Sequence, residues 1–81
     1  MAIRFVGIDD TSGGNNCPAV FTDDETGDLL LQGWLVTDPA EQAAMEQHSP
    51  LGEHEVRVRL PARMQKIIQE ACNGDGAAAA G

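Results

Sequence analysis

Residues 17–36 read CPAVFTDDETGDLLLQGWLV, two apolar stretches held apart by Asp23-Asp24-Glu25-Thr26-Gly27-Asp28. Nearly every residue of the separator favours turns, and Gly27 stands where a hairpin loop needs a positive φ. The stretch therefore predicts a β-hairpin. Its first arm runs from Cys17 to Thr22, with Pro18 near the start, where a missing N–H is tolerated. Its second arm runs from Leu29 to Val36. There Leu29, Leu31, Gly33 and Leu35 share one face and Leu30, Gln32, Trp34 and Val36 the other. Neither face is wholly polar, which predicts a central strand covered on both sides.

On the N-terminal side, Ile3 to Ile8 is β-prone and runs into the turn-rich Asp9-Asp10-Thr11-Ser12-Gly13-Gly14-Asn15-Asn16, a strand followed by a loop. On the C-terminal side, Thr37-Asp38-Pro39 has the caps and first-turn proline of a helix start. The helix should reach about Gln47. Its apolar stripe (Ala40, Ala43, Ala44) is weak, so it should lie shallowly on the surface until Ser49-Pro50-Leu51-Gly52 ends it. His54 to Leu60 alternates Val56, Val58 and Leu60 against Glu55, Arg57 and Arg59, the pattern of a strand with one solvated face. Pro61 then opens a helix to about Cys72. In it Met64, Ile67, Ile68, Ala71 and Cys72 form a core-facing stripe, and Asn73-Gly74 supplies a left-handed end. The fold expected is α+β: a small antiparallel sheet of three to four strands, the C-terminal amphipathic helix on one face, and a minor inserted helix. Residues 1–73 form the single domain, and 74–81, made of Gly, Ala and Asp, form a disordered tail.

A chain of 81 residues buries only about 60% of its unfolded surface, and its aromatics are Phe5, Phe21 and Trp34 alone. The core must be thin, and deep ligand cavities are not expected. The net charge of −8 is uneven, because four of the five basic residues (Arg57, Arg59, Arg63, Lys66) lie late in the chain. An acidic surface repels phosphate backbones and anionic membranes and attracts basic proteins. Direct nucleic-acid and membrane binding are therefore disfavoured. With no signal-peptide core and no apolar run of about 20 residues, the chain is expected in the cytoplasm, with Cys17 and Cys72 as free thiols.

Several residues have types that could carry chemistry. Ser12-Gly13-Gly14-Asn15-Asn16 lacks the lysine of a phosphate-binding loop, and a calcium loop set on Gly27 would have Thr22 and Gly33 at its two essential carboxylate positions. Cys17, Cys72, His48 and His54 suit zinc or thiol chemistry but have no closely spaced ligand pair. No catalytic, cofactor or metal residues are assigned, and the chain is expected not to be an enzyme. Trp34 is either the centre of the core or an interface anchor, the latter gaining if it lies on a face the last helix leaves open.

The layout resembles a family of small acidic actinobacterial proteins of unassigned function, commonly encoded beside Xre-type helix-turn-helix regulators, or a sister family of the same composition. The residues that carry the likeness are Ser12-Gly13-Gly14-Asn15-Asn16-Cys17 before a short strand, Gly27-Asp28 in the hairpin, Asp38-Pro39 after its second arm, and a last strand feeding a helix that ends at Asn73-Gly74. The resemblance implies a small non-enzymatic accessory to a transcription regulator, antitoxin-like in role. Together with the charge, it leads to an acidic protein-interaction module for a basic protein, binding through Asp23, Asp24, Glu25, Asp28 and Trp34. Two other readings stand beside it: a metal- or thiol-dependent protein using Cys17, Cys72, His48 and His54, and a self-associating domain, a homodimer that pairs an exposed edge strand with its copy.

Overall fold

The computed structural model describes residues 2–9 and 17–73; the loop expected over 10–16 and the tail expected over 74–81 lie outside the described residues. Strand β1 (Ile3–Ile8), β2 (Ala19–Asp23) and β3 (Leu29–Gln32) form an antiparallel sheet in the order β1-β2-β3. The hairpin forms as its turn residues dictate, with Gly27 at φ +82° and its N–H donating to the Asp23 carbonyl at 2.8 Å. A bulge between Phe5 and Gly7 shifts the β1–β2 register.

The second arm of the hairpin is not one central strand. It breaks at Gly33 into β3 and β4 (Trp34–Leu35), and β4 pairs with β5 (Val58–Arg59) as a separate two-stranded ladder. The cause is a close approach: a Cβ on Gly33 would stand 2.6 Å from the Arg59 carbonyl oxygen, so the chain bends there against β5. Nor is the arm covered on both sides, because β3 is an edge strand and all four of its residues are exposed. The leucines on its two faces reflect a thin protein with one covering helix, not a buried strand.

The strand expected over His54–Leu60 shrinks to Val58–Arg59. Residues Gly52 to Glu55 are held in a turn, with the Gly52 N–H donating to the Glu55 side chain at 2.7 Å and the Glu55 N–H to the Gly52 carbonyl at 3.2 Å. The ladder ends where the Val36 N–H donates to the Arg57 carbonyl, and Val56 beyond it is 69% exposed.

Helix α1 (Pro39–Glu46) starts as expected, with Asp38 capping the Glu41 N–H at 3.1 Å, and it buries no residue. It is tethered by polar contacts instead. Gln42 donates to the Val36 carbonyl, and Arg57 bonds Gln42, Glu46 and the Ser49 carbonyl. The Arg57 guanidinium holds the Glu46 carboxyl below the usual carboxylate range. A lowered pKa means the pair's contribution is present above the ordinary carboxylate pKa and fades as pH falls through the folded value. Since tertiary burial adds nothing to α1, its cap matters. Asp38→Ala should lower stability by about 1 kcal/mol, seen as a loss of helical circular dichroism around α1 on mild heating while the rest of the fold persists.

The last helix opens with a 3₁₀ turn (Ala62–Met64) and continues as α2 (Gln65–Cys72). Its stripe packs on β1 and β2: Met64 and Ala71 meet Val20, with Val6, Leu60, Ile67 and Ile68 around them. Cys72, read as part of the stripe, is exposed, because it lies at the very end of the helix past the sheet contact. Asn73 keeps right-handed angles (φ −79°, ψ −3°), so the left-handed end expected there does not fall on it; Gly74 lies outside the described residues. A clamp holds helix and sheet together. Arg63 grips the buried carboxylate of Asp9 with two hydrogen bonds, at 2.8 and 2.6 Å, which offsets the cost of burying that charge. Among the described residues, no helix is long and apolar enough to cross a membrane.

Candidate interaction surface

Side chains alternate along β2, so Val20, which faces α2, and Phe21, its neighbour, point to opposite sides of the sheet. The ladder register sets Phe5, Phe21 and Leu30 in one row across the three strands. This row lies on the face away from α2. Ile3 and Ile8 extend it along β1. Phe5 is 56% and Ile3 46% exposed, while the tilted rings of Phe5 and Phe21 lie 5.7 Å apart between centroids. The result is an apolar face on which Ile3, Phe5, Ile8 and Leu30 are exposed and Phe21 half-buried, with Ala19 buried toward the Ile8 end.

The acidic turn stands at one end of this face. Asp23 is the ladder partner of Ile3, and its N–H donates to the Asp28 carbonyl at 2.9 Å, which places both residues on the Phe5 side. The turn residues are partly engaged in holding the turn. Asp23 accepts from the Glu25 N–H at 2.9 Å, Thr26 accepts from the Asp28 N–H, and Asp24 receives Arg4 through Nε at 3.1 Å and the Thr22 hydroxyl at 3.2 Å. Asp24 is thereby ion-paired with Arg4. The carboxylates gathered at the turn give this end its negative field.

Trp34 is not the centre of the core. It sits in the two-stranded ladder opposite Arg59, about half exposed. Arg59 in turn bonds Glu41 on α1, so the charge beside Trp34 is paired within the chain. The expected contact set is thus split: the four acidic residues cluster at the hairpin, whereas Trp34 lies past the bend at Gly33. Sequence reasoning missed the apolar face itself. The signal was present in the alternation of Ile3 and Phe5 with Arg4 and Val6, and in three consecutive leucines that a single helix cannot cover.

Cys17, Cys72, His48 and His54 are not brought into one cluster. Cys17 is buried and Cys72 exposed, neither in a disulfide. Among the described residues no three His, Cys, Asp or Glu side chains gather to hold a metal. His48 lines an open depression of about 750 Å³ with Met45, Leu51, Val56 and Arg57. Its neighbouring polar groups serve the local fold, Glu55 in its turn and Arg57 in the tether of α1. No protein-family model matches the chain, and neither a curated protein nor a solved structure does.

Proposed function

We propose that the chain is a non-enzymatic, cytoplasmic protein-interaction module that holds a basic protein. A DNA-binding helix-turn-helix regulator, bound in an accessory or antitoxin-like way, is the partner the sequence resemblance implies. The observation that carries the reading is the union on one side of the sheet of an open apolar row, Ile3, Phe5, Phe21 and Leu30, with the carboxylates of Asp23 and Asp28 at its end. Apolar anchors supply affinity and rim charges steer encounter and select partners. A net charge of −8 makes a cationic partner the complementary one.

The test is to capture partners on the tagged chain, identify the basic protein retained, and titrate it while following the emission of Trp34. Raising salt from 50 to 300 mM should weaken binding by about tenfold or more, since surface charges are screened over a Debye length of roughly 10 Å. Phe5→Ser should weaken it at both salt concentrations. Binding with no salt dependence, or binding indifferent to Phe5→Ser, would overturn the proposal.

A further inference from the structure

We infer that the free edge of β3 pairs with β3 of a second copy of this chain, joining two three-stranded sheets about a two-fold axis. The starting point is a contrast between the two edges of the sheet. The β1 edge carries the devices that keep edges apart, a bulge between Phe5 and Gly7 and the charged Arg4. The β3 edge carries none. Leu29-Leu30-Leu31-Gln32 has no charge, proline or bulge, and every residue is exposed.

The backbone sets how this edge can pair. Because the Asp23 N–H donates to the Asp28 carbonyl, the hydrogen-bonded pairs of the β2–β3 ladder alternate from there through Phe21–Leu30 to Ala19–Gln32. The N–H and C=O groups of Leu29 and Leu31 therefore point outward. A two-fold antiparallel partner must match odd residues with odd ones. Setting Leu29 against Leu31 of the second copy opposes Leu30 to its own copy and Asp28 to Gln32. Shifting by two residues in either direction loses leucine contacts, opposing Leu30 to Gln32 in one case and to Asp28 in the other. The favoured register thus places leucines on leucines and sets no carboxylate against another.

Charge agrees with this arrangement and supplies a signature. Antiparallel pairing sends the two acidic turns to opposite ends of the joined sheet, with the Asp28 residues four strand positions apart, roughly 13 Å. That exceeds a Debye length at physiological salt, about 8 Å. Each turn then lies toward the Trp34 end of the other copy, where Arg59 is already paired with Glu41, so the arrangement rests on the separation of the turns and not on a new ion pair. The net charge of −8 on each copy still opposes approach, so this association strengthens as salt rises. Binding to a basic protein does the reverse, so the two can fail separately. An edge of four residues is small beside a standard interface, and the dimer is accordingly a weak, reversible one.

The test joins sedimentation with site-directed cross-linking. In the Cys72→Ser background, Leu30→Cys places two thiols across a non-hydrogen-bonded pair, where Cβ spacing approaches that of a disulfide. Mild oxidation should give a covalent dimer at least tenfold faster than Val56→Cys in the same background, a site away from β3 that is more exposed than Leu30 and so would react faster if accessibility alone decided. Sedimentation of the unmodified chain should show dimer rising with protein concentration and with salt. Leu31→Lys should raise the dissociation constant at least tenfold while Trp34 emission and circular dichroism stay native. A monomer at all concentrations and salts, equal cross-linking at positions 30 and 56, or a dimer untouched by Leu31→Lys would overturn the inference.

Discussion

Met64→Ala is expected to lower the unfolding free energy by about 2–5 kcal/mol, the range for removing a large buried aliphatic side chain. Met64 is 1% exposed and stands between Val20 and Ala71, with Ile67, Ile68, Leu60 and Val6 closing around it. Among the described residues no other side chain of its size is buried so completely, and the described core holds few residues that could move in to fill the space. A domain of this length has about 4–12 kcal/mol in total. The variant should therefore lose a large share of its stability, with a urea midpoint far below that of the parent. Met64→Leu, which conserves volume, should cost less than about 1.5 kcal/mol. Equal urea midpoints for parent and alanine variant would remove Met64 from the centre of the core.

Gly33→Ala should be the costliest glycine substitution among the described residues, about 1–3 kcal/mol, the scale of overpacking. The new methyl would meet the Arg59 carbonyl oxygen at 2.6 Å with the Arg59 carbonyl carbon and a Leu60 side-chain carbon at 3.3 Å. A backbone oxygen in a ladder cannot swing aside, so β5 must separate from β4. Gly7→Ala makes a useful comparison, because the atoms in its way belong to the Ile67 side chain, at 2.8 Å from the nearest, and these can rotate. Urea denaturation followed through Trp34, beside the strained pair, should show the larger loss for position 33. A parent-like midpoint for Gly33→Ala would mean that the bend there is not imposed by contact with β5.

The residues that announced their structure are those whose physics is local. The turn at Gly27, the cap at Asp38 and the stripe Met64-Ile67-Ile68-Ala71 each act within a few positions of the chain, and each was legible. The breaks were not. The bend at Gly33 comes from Arg59, and the short β5 from a turn bonded between Gly52 and Glu55. Both depend on which segment meets which, and that is invisible in periodicity. The same limit applied to the candidate surface. The acidic turn was evident from composition, but the apolar row beside it emerges only when β1, β2 and β3 are set in register, placing Phe5 against Phe21 and Leu30.

The clamp between Arg63 and Asp9 joins the two ends of the fold across 54 positions of sequence. It ties the exit of β1 to the first turn of the terminal helix, and so fastens the chain's beginning to its close around the hydrophobic centre. Pulling the molecule from its two ends would load β1 and the terminal helix first, and the link next, with the hairpin shielded behind it. Arg63 thus guards the segment enclosed between itself and Asp9, and a lysine, which cannot grip both carboxylate oxygens in a fork, should let that segment open at lower force in single-molecule pulling.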